Sequence, residues 1–442
     1  MSAHLSKENQ QESVADYLVS HSHSLQTSED LDELIERAGD KKIVMLGEAS
    51  HGTHEYYKWR TLISQRLIKE KGFYFIAVEG DWPDCYRVNR YIKNYSGAGK
   101  SAFEVLHAFN RWPTWMWANW EVLALAESLY NHNKTLPINK KVGFYGLDVY
   151  SLWESMESII NYLQKTDPSA LTYAEKAFQC FEPYKGDEGT TYAYASAMVP
   201  EPCTREVVDL LREIQKRAPQ YNSDQENVFS AEQNALVAQN AEKYYRAMLH
   251  GGNQTWNIRD THMMQTLTRL LEHHGKDAKA IVWAHNTHVG DARATDMRFE
   301  KMHNIGELAR KEYLNDNVFL VGFGSYKGSV VAASGWGQRL QYMMVPPAIT
   351  GSWEDLLQKS RLQNTYFLMD DFKQNAFFYN EIGHRAIGVV YNPDTEKRGN
   401  YVPSVIPARY DAFMFFEETK ALHSLHIMPE GHQMPETYPF GV

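Results

Sequence analysis

Four short apolar runs, Ile43 to Leu46, Phe73 to Val78, Val142 to Leu147 and Ala278 to Ala284, each end in ionisable residues, and helical patterns lie between them. Runs this short with no polar side read as strands buried on both faces. Strands that alternate with helices build a mostly parallel sheet with helices on both faces. That α/β layout is the fold class expected here. Val318 to Gly322, Tyr366 to Met369, Ala386 to Val390 and Ala412 to Phe416 read as further strands. The first run empties into G-E-A-S-H-G and then a helix with Tyr56, Trp59, Ile63 and Leu67 on one face, stopped near Gly72.

The rhythm changes between Pro168 and Gly252. Val207, Val208, Leu211 and Ile214 fit one helix, and Val228, Ala235, Ala238, Ala241, Tyr245 and Met248 a longer one, with no strand between them. The expectation is one domain over 1-442, with an all-helical lobe at 168-252 inserted into it.

In open α/β sheets ligands bind beyond the carboxyl ends of the strands. The residues at those ends are Glu48 and His51, Glu79, Asp148, and His285 and His288. A serine hydrolase would carry G-x-S-x-G, a turn that exposes the nucleophile, and no such pentapeptide occurs. His54 and Glu55 begin an H-E-x-x-H pattern, but Lys58 stands where the second histidine would be. The residues that remain favour attack by water. His51 is then the general base and Glu48 or Glu79 fixes its tautomer, while His285 or His288 polarises a carbonyl or steadies the oxyanion.

No cofactor is predicted on this reading. The same Glu48, His51, Glu79, His285 and His288 could instead hold a divalent metal that activates the water, and sequence spacing leaves both chemistries open. A third reading is a small-molecule-binding protein without turnover. Asp148 and Arg259, with Asp260, either touch the substrate or form structural ion pairs at the cleft. Trp112, Trp115 and Trp117 are either a stacking wall or core, and His54, His273 and His274 read as solvated.

A net charge of -10 argues against nucleic acid as a partner. Cys85, Cys180 and Cys203 are odd in number and widely spaced, so no disulfide framework or four-cysteine zinc site is expected, and a reducing compartment is. Met1 to Gln11 is polar, and no run approaches the roughly 20 apolar residues of a membrane span. A soluble, cytoplasmic protein with a small-molecule partner is the expectation.

These motifs resemble the erythromycin esterase family. The likeness rests on G-E-A-S-H-G with Arg60 downstream, V-E-G at Val78 to Gly80, W-P-T-W-M-W, G-L-D at Gly146 to Asp148, N-I-R-D at Asn257 to Asp260, A-H-N-T-H-V at Ala284 to Val289, and Y-D-A-F-M-F-F-E-E-T at Tyr410 to Thr419. It implies a hydrolase related to enzymes that open macrolide lactones with activated water and no covalent serine intermediate. The resemblance assigns the catalytic histidine to His51, with Glu48, Glu79, Arg60, His285 and His288 as its partners. The family also includes proteins labelled as succinoglycan biosynthesis proteins, so the resemblance does not fix the substrate.

Overall fold

In the computed structural model, which describes residues 14-185, 189-198, 203-221, 224-250 and 252-426, the strands are β1 (His23–Ser24), β2 (Ile43–Leu46), β3 (Phe75–Asp81), β4 (Gly143–Asp148), β5 (Ala280–Trp283), β6 (Val318–Ala333), β7 (Leu340–Val345), β8 (Thr365–Leu368), β9 (Ile382–Arg385), β10 (Tyr401–Ser404) and β11 (Ala412–Thr419). Nine of them form one sheet in the order β1-β8-β11-β6-β2-β5-β3-β4, with β7 beside β6. The six from β11 to β4 are mutually parallel, and β1, β7 and β8 pair antiparallel.

The alternation of side chains explains why the strands read as continuous apolar runs. In β2, Val44 and Leu46 enter one apolar layer while Ile43 and Met45 enter the other. The first layer is closed by the helices His54–Lys71 and Trp120–Asn133, through Tyr56, Ile63, Leu67, Val122, Leu125 and Leu129. The second is closed by Gly252–His274 and Ile305–Tyr313, through Met263, Leu267, Leu270, Ile305 and Ala309. The helix His54–Lys71 ends at Gly72, whose φ of 70° suits glycine as the stop.

Between β4 and β5 every described element is helical. Leu152, Met156, Ala174, Phe181, Val207, Leu210, Ala238 and Tyr245 share an apolar cluster separate from the two sheet layers. Positions 186-188, 199-202, 222-223 and 251 of the expected lobe, and the polar stretch Met1 to Gln11, lie outside the described residues.

Three expectations are corrected. Ala386 to Val390 is not a strand; β9 just before it pairs with β10 in a separate two-stranded sheet, and only Ile387 and Val390 make isolated bridges. Cys180 and Cys203 form a disulfide with Cα atoms 5.9 Å apart, because the helix Leu171–Phe181 ends beside the start of Thr204–Arg217. The bond removes the argument from unpaired cysteines for a reducing compartment; Cys85 stays free and buried. His54 is not solvated, since its side chain is 13% exposed and bonded to the buried Glu121. His274 is half-buried, stacked on Phe75. Among the described residues no helix is long and apolar enough to cross a membrane.

Candidate active site

Strand order puts the ionisable ends side by side. β2, β5, β3 and β4 are consecutive in the sheet, so Glu48 and His51, His285 and His288, Glu79, and Asp148 meet along one edge. β5 is the fourth of these strands in the chain but lies between the first two, which brings residues more than two hundred positions apart into contact.

The loop after β2 fits its place only with glycines. A Cβ on Gly47 would lie 2.1 Å from Asn286 Oδ1, and one on Gly52 would lie 1.9 Å from the Val331 carbonyl oxygen. The close approach at Gly47 lets Asn286 donate its backbone N–H to the Glu48 carbonyl at 2.8 Å, joining the β2 and β5 loops.

His51 Nδ1 lies 3.0 Å from Glu48 Oε1, and Arg60 Nη2 donates to Glu48 Oε2 at 2.8 Å. Glu48 and Arg60 are fully buried. The guanidinium sits over the rings of Tyr57 and Trp283, 4.4 and 4.6 Å from their centroids. With the Glu48 carboxylate held by Arg60 and facing Nδ1, the tautomer of His51 that this geometry favours carries its proton on Nδ1 and its lone pair on Nε2.

Glu79 lies within β3, where the register against β4 shifts between Val78 and Asp81. Such irregularities re-aim side chains. Glu79 Oε2 accepts the His285 backbone N–H at 2.8 Å, and Oε1 accepts from Arg259 Nη2 at 2.7 Å. Burial alone would raise its pKa, but His288, Arg259 and His51 hold it well below the usual carboxylate range. Arg259 also grips Asp148, Nε to Oδ1 at 2.9 Å and Nη2 to Oδ2 at 2.6 Å.

The two histidines after β5 differ. His288 Nδ1 is 2.9 Å from both Asp260 oxygens, its Nε2 is 3.4 Å from Glu79, and its ring stacks on Trp256 at 4.5 Å. Against the downward pull of burial, Asp260 and Glu79 push its pKa up to about 9. Arg259 Nη1 approaches the same Nε2 at 3.0 Å, a contact suited to a neutral ring. Three carboxylates, Glu79, Asp148 and Asp260, surround this pair and favour the charged form.

His285 Nδ1 is 2.8 Å from Thr287 Oγ1 and accepts the Thr287 backbone N–H at 3.3 Å, which leaves the proton on Nε2. That Nε2 is buried without a partner of hydrogen-bond geometry, though the Ala49 carbonyl lies near enough to act on its charge. Burial, with His51 close by, pushes its pKa well below the ordinary value, so the ring is neutral. The rings of His51 and His285 are 4.9 Å apart.

A cavity of about 140 Å³ opens over this edge, lined by His51, Glu79, Asp148, Arg259, Tyr150, Trp117 and others. Glu48, Arg60, His285 and His288 do not line it; they stand behind the residues that do. Trp117 is at the wall, its Nε1 donating to the Glu79 carbonyl at 3.1 Å. Trp115 is 1% exposed and packs on Trp112 rather than reaching the cavity.

The sequence reading missed Asp81, Asp84, Arg111, Tyr150, Trp336 and Val389, all in the lining. Burial, with Asp81 and Glu154 near, pushes Asp84 up to about 7 despite Arg87. Asp81 and Asp84 followed the β3 run and were legible as strand-end acids. Trp336, on the β6–β7 hairpin, had no local signal. The donor atoms of Glu48, His51, Glu79, His285 and His288 do not converge as a set of three within 4.8 Å; among the described residues His54, Glu121 and His423 do.

A family profile described as Erythromycin esterase matches residues 68-419. The chain belongs to the erythromycin esterase family. The match includes Glu79, Asp148, Arg259, His285 and His288, while Glu48, His51 and Arg60 lie just upstream of it. Solved structures similar to the chain include a succinoglycan biosynthesis protein and a protein from Bacillus cereus, each with TM-score 0.76, 19% identity, and coverage of 93% of this chain and 98% of the other. A mutant of the erythromycin esterase EreC in its open conformation has TM-score 0.65 and 15% identity, with 89% and 95% covered. At these identities the likeness shows the shared fold.

Proposed function

We propose that the chain hydrolyses a carboxylic ester of lactone type, with water activated by His51 and no protein nucleophile. The observation that carries this reading is the position of His51. It faces the cavity while Nδ1 is held by Glu48 and Glu48 by Arg60, which leaves Nε2 as the lone-pair atom. Among the described residues that line the cavity there is no serine, threonine or cysteine.

Water held at His51 Nε2 would lose its proton to the ring as it attacks the ester carbonyl, and Glu48 would stabilise the imidazolium. Arg259, at the cavity wall, is the group suited to the developing oxyanion, while His285 stands behind the wall with its ring 4.9 Å from that of His51. His288 has its ring nitrogens engaged by Asp260 and Glu79, so its role is to position Glu79. Asp148 orients Arg259, and Trp117 shapes the wall. Family membership supports an ester as substrate; the helices over 168-252 would form a lobe of their own, and the cavity walls, with Trp112, Trp117, Tyr150 and Trp336, would limit which ester enters. A macrolide is one candidate.

The test is hydrolysis of a macrolide and a panel of simple esters by wild-type protein and His51→Ala, before and after chelation. Turnover lost in His51→Ala and indifferent to chelator is expected. Turnover abolished by chelation would favour a metal-dependent hydrolase acting on an ester, amide or phosphoester, with Glu48, His51, Glu79, His285 and His288 as ligands. No turnover on any ester at any pH would favour a binding protein.

A further inference from the structure

Away from the cavity, three separate segments of the chain each bring one metal-ligating side chain to a common point. His54 opens the helix His54–Lys71, Glu121 stands in the first turn of Trp120–Asn133, and His423 belongs to the segment that follows β11. His54 Nδ1 and His423 Nδ1 each lie 2.7 Å from the same oxygen, Glu121 Oε1. The Glu121 side chain is 2% exposed, that of His54 13% and that of His423 34%, so the cluster is closed on one side and reaches solvent through His423.

We propose that His54, Glu121 and His423 form a site for a divalent transition-metal cation of the zinc class, distinct from the catalytic cavity. Two imidazoles and one carboxylate are an ordinary zinc ligand set, with the fourth position left to water. One donor atom from each residue lies within 4.8 Å of the other two. Ligands on a tetrahedral ion at about 2.0–2.2 Å stand on the order of 3.3 Å apart, so each imidazole would draw back from Glu121 by roughly 0.6 Å while the two imidazole nitrogens, within 4.8 Å of each other, settle at the same spacing. Each Nδ1 would then offer its lone pair, with the proton on Nε2.

The backbone around the cluster is already fixed. His54 N donates to the Lys420 carbonyl at 2.8 Å, Leu422 N to Gly52 at 3.0 Å, Trp120 N to His423 at 2.9 Å and Leu425 N to Ala118 at 2.9 Å. These bonds hold the three segments in register, so most of the ordering a ligand site needs is in place before the ion arrives. Bound cation would tie the segment after β11 to the loop that carries His51, and its binding free energy would add to folding stability.

The test is titration of Zn²⁺ into metal-stripped full-length protein, in competition with a chromophoric chelator, together with thermal melting with and without Zn²⁺. Wild type is expected to bind one Zn²⁺ per chain and to melt higher with it. Glu121→Gln and His423→Asn should each lose both effects, while His51→Ala keeps them. His423 is partly exposed, so His423→Asn remains informative if Glu121→Gln fails to fold. Absence of stoichiometric Zn²⁺ on wild type, its retention by His423→Asn, or its loss on His51→Ala would overturn the proposal.

Discussion

Arg60 holds Glu48 from a fully buried position, Nη2 to Oε2 at 2.8 Å, and two of its other nitrogens, Nε and Nη1, have no hydrogen-bond partner. The aromatic faces of Tyr57 and Trp283 receive the guanidinium instead. A buried pair of this kind costs about 3–5 kcal/mol when one partner is removed and the other charge is left alone. Arg60→Met should therefore lower the urea midpoint of unfolding and reduce ester turnover together. Glu48→Gln keeps the shape but leaves the buried Arg60 charge alone, so it should lower the unfolding midpoint as well and cost about 10²-fold or more in kcat. Equal turnover in wild type and Glu48→Gln would remove Glu48 from the catalytic machinery.

His288 gives a pH dependence whose sign can be worked out. Its folded pKa, pushed up to about 9 by Asp260 and Glu79 against burial, exceeds the ordinary value of 6.5. The folded state thus holds a proton that the unfolded chain releases, and the stability this contributes is complete below about pH 6.5 and is lost as pH rises through about 9. Thermal melting from pH 7 to pH 10 should fall more steeply for wild type than for His288→Gln. Parallel curves would mean that the ring is neutral.

The Cys180–Cys203 bond closes a loop with a sequence separation of 23 in the helical segment. A loop of that length is expected to contribute about 3 kcal/mol through the unfolded state. Reductant should lower the unfolding midpoint, and thiol titration in denaturant should find Cys85 alone before reduction and all three cysteines after it. Three reactive thiols without reductant would show the bond unformed.

Trp336 is 60% exposed, lines the cavity, and its ring lies 4.5 Å from that of Trp112. Trp112 Nε1 donates to the Gln338 carbonyl at 3.0 Å, which ties the W-P-T-W-M-W loop to the β6–β7 hairpin. Since Trp336 is an exposed part of the cavity wall, Trp336→Ala should raise KM for a bulky ester several-fold and leave kcat near wild type. An unchanged KM across bulky and small esters would show that the hairpin does not touch substrate.

Much of the candidate site was legible because it sits where short apolar runs stop. Glu48, His51, Glu79, Asp148, His285 and His288 were each marked by an adjacent strand, and the parallel arrangement followed from the helices between those strands. Arg60 was different: a lone arginine on a helix carries no local mark, and only resemblance to a family singled it out.

The sequence by itself determined the alternation of buried strands and helices, the positions of the ionisable strand ends and the lack of a serine elbow, because these depend on periodicity and on neighbours in the chain. Tertiary structure alone decided that β5 lies between β2 and β3, that Asp260 and not a strand-end carboxylate takes His288 Nδ1, and that Trp115 is core while Trp117 and Trp336 reach the cavity. It also decided the Cys180–Cys203 bond and the meeting of His54, Glu121 and His423. The physical reason is common to all of these: each depends on a distance between segments remote in the chain, which strand order and helix packing set and local pattern does not.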